Sequence, residues 1–167
     1  SRMKFSVGSS SVLGFKLKSK GRESEVYEVY PDSGSTIAIT ANGTSGAPAD
    51  GTVTQTTSGD PLTQKATSGS GTGMEFHVTL ASGVATAVTI VKEGKGYAAN
   101  DTITIDKVHL GTSADVTGTI TLGDKAFTYY ESRYEDPNDI IVKVNGVKTT
   151  GWTISGDVIT LADPPGA

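Results

Sequence analysis

The sequence contains no cysteine, and this absence excludes disulfides, zinc–thiolate sites and cysteine nucleophiles together. Small secreted domains that are rich in loops are often stabilised by disulfides. The lack of cysteine therefore indicates a protein that folds in a cytosol or gains stability by association. No apolar run reaches the roughly 18 residues that a membrane-spanning helix needs, so we expect no membrane partner.

Charge is also scarce, because charged residues make up only 19% of the chain and the formal net charge is −4. The sequence lacks the basic stripe with interleaved aromatic residues that is typical of nucleic-acid binding, so we expect no nucleic-acid partner. One small basic cluster lies near the start, at Lys4, Lys16, Lys18, Lys20 and Arg22. Lysines on an edge strand deter pairing with other sheets, and we favour that interpretation over a docking patch for an acidic partner.

The chain is instead rich in glycine, threonine and serine. Its 21 glycines often follow Asn, Ser or Asp, and such pairs are typical of tight turns. Threonine, valine and isoleucine suit the pleated surface of a sheet. Strand-like alternation recurs between the turns, and no segment has a convincing helical period. The sequence therefore predicts an all-β fold of small antiparallel β-sandwich or barrel modules with long Gly/Thr-rich loops.

Changes of pattern divide the chain into an N-terminal β segment, a Gly/Thr-rich loop with a β repeat module, and a third β module, which span residues 1–40, 41–122 and 123–167. Within the middle part, residues 41–73 hold closely spaced turn signals, with only Val53 and Leu62 as apolar anchors. We expect this stretch to be an exposed loop, or an arm that becomes ordered only on assembly.

The β repeat module ends in a recognisable pattern. A Gly-rich lead, an alternating strand, a turn and a Val/Ile strand precede Gly94-Lys95-Gly96-Tyr97 and Asn100-Asp101. This order, over residues 70–105, resembles a small β repeat found in many phage virion proteins, which has glycine in place of Asn100. Asparagine is the next best residue for a left-handed backbone. We expect Tyr97 to pack across the sheet and Asp101 to accept hydrogen bonds from nearby backbone amides.

The last part of the chain carries a second pattern. Its elements, in order, are Phe127-Thr128-Tyr129, Tyr134, Asp136-Pro137, Ile140 to Val144, Asn145-Gly146-Val147, Gly151-Trp152-Thr153-Ile154, Val158 to Leu161 and Pro164-Pro165-Gly166-Ala167. Residues 123–167 resemble the N-terminal attachment region of podovirus tail fibres of the T7 type. In that family a last strand follows the Pro-Pro-Gly-Ala turn, and here that strand is missing or supplied by another chain. The resemblance implies a homo-oligomer, and specifically a trimer.

Residues capable of catalysis are few. We interpret His77 as an exposed residue on the polar face of its strand, and His109 similarly. The chain has no Gly-x-Ser-x-Gly nucleophile elbow. Gly69, Gly71 and Gly73 alternate, but no Lys-Ser or Lys-Thr pair follows them, which excludes a phosphate-binding loop. We therefore expect no enzyme, and we assign no catalytic, cofactor-binding or metal-binding residue.

Oxygen ligands occur together at Asp136, Asn138 and Asp139. A regular calcium loop needs a longer set of ligands that ends in glutamate, so we favour a capped turn in which Pro137 fixes the backbone. We interpret Asp101 and Asp106 as turn residues in the same way.

The aromatic residues of the third module form a cluster in sequence: Phe127, Tyr129, Tyr130, Tyr134 and Trp152. We interpret them as the core of that module, with tyrosine hydroxyls at the surface. Two alternatives are a hot spot at a subunit interface and a platform on which sugars stack.

These observations lead us to expect a non-enzymatic structural protein of the virion that docks to other virion proteins, as a tail fibre or tail adaptor. A capsid decoration (cement) protein and a carbohydrate-binding module for host attachment are the alternatives. Modules of this size bury little surface alone. We therefore expect a homo-oligomer in which strand addition between copies pairs the open backbone edges.

Overall fold

The computed structural model describes six stretches of the chain: residues 2–7, 11–18, 24–31, 34–128, 140–156 and 158–165. The chain forms two compact units. Unit 1 combines Ser1–Gly34 with Asp124–Ala167, and unit 2 is Ser35–Gly123. Unit 2 is therefore inserted between the two halves of unit 1.

Almost all regular structure is β-strand, which confirms the all-β prediction. The described elements, in chain order, are β1 (Arg2–Val7), β2 (Ser11–Lys18), β3 (Ser24–Pro31), β4 (Thr36–Asn42), β5 (Gly51–Val53), β6 (Leu62–Thr63), β7 (Ala66–Thr67), β8 (Glu75–Ala81), β9 (Val84–Lys92), β10 (Thr102–Ile105), α1 (Lys107–Leu110), β11 (Val116–Thr121), β12 (Ala126–Thr128), β13 (Ile140–Val144), β14 (Val147–Thr149), β15 (Trp152–Ser155) and β16 (Val158–Leu161).

Unit 2 is built on one eight-stranded antiparallel sheet. Its strand order is β5-β8-β9-β4-β11-β10-β7, and β6 also pairs with β8. The core lies on one face of this sheet, and its most deeply buried members include Leu62, Phe76, Val78, Ile103 and Val116. Because one sheet supplies nearly all of these side chains, it curls into a half-barrel around them.

The sequence pattern explains the β8–β9 hairpin at the centre of unit 2. In β8, buried Phe76, Val78 and Leu80 alternate with partly exposed residues, as predicted. Ser82 and Gly83 join the strands, and both have positive φ, at 53° and 84°. A two-residue turn of this kind matches the right-handed twist of the flanking strands.

Residues 41–73 were expected to be an exposed loop, or an arm that becomes ordered only on assembly, whereas the structure has short strands in this stretch. They contribute β5 and β6, which pair with β8, and β7, which pairs with β10. Leu62 is fully buried and anchors the middle of the stretch. The short strands are supported mainly by backbone hydrogen bonds, so they need few apolar residues, and hydropathy alone does not reveal them.

The short helix α1 was also not predicted. Asp106 caps its first turn by accepting a hydrogen bond from the Val108 backbone N–H, and Gly111 ends it in the left-handed conformation, with φ at 77°. Only Leu110 is buried, so one turn of helix leaves no period to detect. Asp106 was interpreted as a turn residue, and in the structure it caps this unpredicted helix instead.

Unit 1 contains two sheets. The first has the order β1-β2-β3-β13-β14, and the second has the order β12-β16-β15. The buried residues of the described part include Phe127, Ile140, Val142, Ile159 and Leu161, together with Pro164 and Pro165. The predicted hairpin between β13 and β14 is confirmed: Asn145 and Gly146 have φ values of 51° and 81°, as a type I′ turn requires.

One pair of strands departs from the predicted antiparallel arrangement, because β3 and β13 are parallel. A parallel pair needs a long crossover connection between its strands. Here the connection contains all of unit 2, so the sequence spacing between β3 and β13 allows this pairing.

The observed units differ from the predicted three-part division. The predicted boundary between residues 40 and 41 falls inside β4, which belongs to unit 2. The first and third predicted parts together supply the strands of unit 1. No helix in the described stretches is long and apolar enough to cross a membrane.

Candidate functional site

An open groove of about 530 Å³ lies in unit 1, between its two sheets. It is lined by residues of β13, β14 and β15 and of the connection between the last two, among them Ile140, Val142, Lys148, Thr149, Trp152 and Ile154. Ile140 and Val142 are buried, whereas Trp152 and Ile154 remain partly exposed. The groove therefore has an apolar floor and a rim of threonine hydroxyls.

Strand register determines which side chains share the groove face. Val142 lies opposite Thr149, and Val144 lies opposite Val147, so these pairs are on one face of the β13–β14 hairpin. Lys143 and Lys148 also lie opposite each other in this hairpin. Lys148 contributes to the lining of the groove, so a cationic side chain lies beside the threonines of its rim.

Two strand edges border the groove. In the described part of the chain, β14 and β15 are each the last strand of a sheet and have one strand neighbour. An edge strand presents unpaired backbone N–H and C=O groups, to which another strand can add. Val147, on β14, is also 69% exposed, the most exposed large hydrophobic residue of those described. Apolar side chains and unpaired backbone groups thus occur together here.

The aromatic cluster of the third module is only partly described. Phe127 is 1% exposed and belongs to the core of unit 1, as expected. Trp152 instead lines the groove. Tyr129, Tyr130 and Tyr134 lie outside the described residues, as do Asp136, Asn138 and Asp139 of the predicted capped turn.

The glycine-tyrosine turn of unit 2 has the roles expected from its sequence. Gly96 and Asn100 have positive φ, at 77° and 69°. Tyr97 is buried in the core, and an Asp101 carboxylate oxygen accepts a hydrogen bond from the Ala98 N–H at 2.9 Å. This turn is therefore structural.

The hydroxyl of Tyr97 connects three segments of unit 2. It donates a hydrogen bond to the Gln64 side-chain oxygen and accepts one from the Met74 backbone N–H at 3.3 Å. Burial raises the pKa of the Tyr97 hydroxyl, an effect that the Met74 hydrogen bond partly offsets. The neutral phenol is thus fixed in the core and holds residue 64 of the Gly-rich stretch against β8.

The alternating glycines that precede β8 provide space for this turn. A Cβ atom on Gly71 would lie 2.2 Å from Tyr97 Cδ1, and one on Gly69 would lie 2.3 Å from Asp101 Oδ2. Real Cβ atoms do not approach other atoms so closely. The Gly-rich lead and the Gly-Tyr/Asp turn of the repeat pattern are therefore in direct contact.

The two histidines lie on different elements. His77 is on the outer face of β8, opposite Thr89, as predicted. His109, in α1, accepts a hydrogen bond from the Thr57 N–H at Nδ1, over 3.4 Å. Among the residues that the structure describes, no group of three or more His, Cys, Asp or Glu side chains has the geometry to hold a metal. The side chains of the N-terminal basic cluster lie outside the described part.

A small ionic cluster connects Lys65, directly before β7, with Asp106, which caps α1, and with Asp115, in the loop that follows α1. Lys65 Nζ lies 2.9 Å from Asp115 Oδ2 and 4.0 Å from Asp106 Oδ2. Asp115 Oδ1 also accepts a hydrogen bond from the Lys107 N–H. The Lys65 hydrogen bond, and next the Lys107 amide, lower the pKa of the Asp115 carboxyl. The hydrogen bond to Asp115 raises the pKa of Lys65.

These shifts predict a pH-dependent contribution of Asp115 to stability. Its pKa is lower in the folded than in the unfolded state, so its contribution is complete above the unfolded pKa of about 3.9 and is lost as the pH falls through the folded value. We expect Asp115→Asn to lower the urea midpoint slightly at neutral pH. The difference from wild type should shrink as the pH falls below about 4. A midpoint difference that stayed constant down to about pH 2.5 would contradict this role.

Comparisons with known proteins found no match: no protein-family model, curated protein or solved structure is significantly similar to this chain. The groove was not identified from sequence, although each of its strands was. Its walls come from two sheets, and nothing in the local pattern of β13 or β15 indicates that their faces meet. The sequence held no signal for the groove, since the exposure of Val147 beside it is seen only in the structure.

Proposed function

We propose that this chain is a non-enzymatic structural component of a phage particle, a tail fibre or tail adaptor that docks to other virion proteins through unit 1. The observation that carries the proposal is the groove between the β14 and β15 edges. A partner strand added to either edge would pair its backbone groups and cover Trp152 and Ile154. The resemblance of residues 123–167 to tail-fibre attachment regions lends independent support.

The same reasoning supports a homo-oligomer, with a trimer as the state that the resemblance implies. Strand addition between copies would bury the apolar edge residues that one chain leaves exposed. Native mass spectrometry of the purified chain tests this state directly. A spectrum containing only the single-subunit mass would refute the oligomer.

The location in the virion is tested by immunogold electron microscopy of intact particles, with antibody against this chain. Gold confined to the tail is the expected result. Gold spread over the shell would replace the tail assignment with capsid decoration. Particles without gold, under conditions in which a known virion protein is labelled, would refute both assignments.

Val147→Lys is expected to weaken docking at least about tenfold, because it places a charge on the edge and face that a partner strand would cover. The matched control is Val108→Lys, which changes a residue that is 60% exposed on α1 of unit 2. Both sites are exposed, so neither change should affect folding by more than about 0.5 kcal/mol. Sedimentation over a concentration series measures self-association, and equal behaviour of the two variants would refute docking at β14.

Carbohydrate binding is a second candidate function, favoured by the half-buried Trp152 beside the hydroxyls of Thr149 and Thr150. An indole face can stack on a sugar ring while hydroxyls bind its polar edge. A glycan array with wild type and Trp152→Ala tests it. Signals that disappear in the variant would establish the glycan site, whereas a silent array would remove this candidate and leave strand docking.

A further inference from the structure

A buried carboxylate lies where the chain enters and leaves unit 2. Glu93 is 9% exposed, and its Oε1 accepts hydrogen bonds from the Ser35 N–H at 2.9 Å and the Ser35 hydroxyl at 2.8 Å. The Ser35 Oγ in turn accepts a hydrogen bond from the Gly123 N–H at 2.9 Å. Ser35, Glu93 and Gly123 are called the latch below. Glu93 is the one charged residue among the described residues that is buried.

The latch fixes both connections between the units at one point. Ser35 and Gly123 are the first and last residues of unit 2, and Thr36 lies opposite Thr121 in the β4–β11 pair. When unit 2 is folded, the two chain ends that continue into unit 1 are therefore held side by side. A carboxyl group this deeply buried needs hydrogen-bond partners, and Ser35 supplies them to Glu93.

Unit 1 requires both of those chain ends. Its first sheet joins β3, from before the insertion, to β13, from after it, in a parallel pair. When unit 2 is unfolded, forming this pair closes a flexible loop of 115 residues, the separation of Glu25 and Ile140. When unit 2 is folded, the latch has already closed most of that loop, and only the connections before Ser35 and after Gly123 remain.

Unit 2 has no corresponding need for unit 1. Every residue of its core cluster, including the partly buried residues packed against it, belongs to Ser35–Gly123. Among the described residues, its sheet is continuous and its strands pair with one another. Coupling between two folding equilibria is reciprocal, so folded unit 1 favours folded unit 2 by the same loop-closure factor, but unit 2 keeps its own core without unit 1.

We propose that unit 2 is a self-contained insertion that closes most of the loop in unit 1 through the latch, so that unit 2 keeps its fold without unit 1 whereas unit 1 is weakened without unit 2. Loop-closure entropy predicts that folded unit 1 is favoured on the order of 10-fold more when unit 2 is folded, and by linkage the reverse holds to the same extent. Loss of unit 1 leaves unit 2 intact. The groove lies in unit 1, so the latch also favours the folded form of the docking surface. That statement about docking rests on the proposed function, whereas the coupling of folding does not.

The full-length chain offers a separate probe for each unit. Trp152 is the only tryptophan, so its fluorescence reports unit 1 alone. Hydrogen exchange of the β8 backbone amides, followed by mass spectrometry, reports unit 2. Leu80→Ala destabilises the core of unit 2, and Ile159→Ala is the matched change in the core of unit 1. Both probes are followed through a urea series.

We expect Leu80→Ala to release the β8 amides at lower urea and to move the Trp152 transition to lower urea with them. Ile159→Ala should move the Trp152 transition to lower urea while the β8 amides remain protected through that transition, shifted by no more than the roughly tenfold coupling. Glu93→Gln is a milder change that serves if Leu80→Ala does not fold. It should speed hydrogen exchange at the Ser35 and Gly123 amides. It should also move the Trp152 fluorescence transition to lower urea.

Two outcomes would overturn the proposal. In the first, the β8 amides of Leu80→Ala exchange freely while the Trp152 transition remains at its wild-type position. In the second, Ile159→Ala releases the β8 amides at the same urea concentration as the Trp152 transition, which would mean that unit 2 does not keep its fold without unit 1. Both measurements use the free protein, so either failure leaves docking at the groove to be judged by the Val147→Lys experiment.

Discussion

Replacing Phe76 by alanine is expected to lower the free energy of unfolding of unit 2 by about 3–5 kcal/mol. Phe76 is fully buried in β8, where it lies opposite Leu62 of β6 and Ile90 of β9. Truncation removes the apolar area of the ring and leaves a cavity, since strands held on both sides cannot collapse into the space. Single domains are stable by about 5–15 kcal/mol, so this is a large fraction of the total.

The control for Phe76→Ala is Thr79→Ala on the same strand. Thr79 is on the outer face of β8, opposite Ala87, and is only partly buried. We expect a change within about 0.5 kcal/mol, as for most surface substitutions. Urea unfolding followed by circular dichroism measures both variants. Equal losses in the two would mean that the faces of β8 are not divided as the structure places them.

The contrast between these two residues was predictable from sequence. Phe76, Val78 and Leu80 alternate with polar residues, and a strand with one buried face produces that period and no other regular structure does. The turns at Ser82-Gly83 and Asn145-Gly146 were predictable for a similar local reason, because few residues tolerate positive φ. Fold class and most strands follow from such local information.

Features that join distant segments were not predictable in this way. The latch pairs Ser35 with Glu93, and β3 pairs with β13 across the whole insertion. Glu93 directly precedes the Gly94-Lys95-Gly96 turn, and no local sequence pattern there indicates whether its side chain is buried or exposed. The groove was missed for the same reason, since its two walls belong to different sheets.

The Gly-rich lead before β8 was predictable only in part. The sequence shows its glycines and their resemblance to a phage repeat, but it does not show why glycine is required at these positions. The structure supplies the reason: Gly71 and Gly69 allow the close approach of Tyr97 and Asp101, which lie about 30 residues later in the chain. Two separate parts of the sequence pattern thus impose one steric requirement.

Gly71→Ala is accordingly expected to destabilise unit 2 by about 3 kcal/mol, at the upper end of the range for overpacking. The new methyl group would lie 2.2 Å from Tyr97 Cδ1 and 2.4 Å from Cγ, inside the ring's own volume. The ring has little freedom to move, because it is 7% exposed and its hydroxyl is bound to Gln64 and Met74. Thermal and urea unfolding followed by circular dichroism measure the loss.

Gly151→Ala is the matched control for Gly71→Ala. Its backbone is outside the left-handed region, and the nearest atom to a new Cβ would be Ala162 Cβ, at an ordinary 3.4 Å. We expect its effect to be within about 0.5 kcal/mol, because alanine fits there and also reduces the freedom of the unfolded chain. The comparison separates the steric effect at Gly71 from the general effect of replacing glycine.

A double-mutant cycle with Tyr97→Ala identifies the ring as the cause. If the clash with Tyr97 is responsible, Gly71→Ala should cost much less once the ring is absent, and the two losses should be non-additive by more than about 1 kcal/mol. An equal cost of Gly71→Ala in both backgrounds would place its effect elsewhere. Contact between the Gly-rich lead and the Gly-Tyr turn would then not be the reason that both occur in the repeat pattern.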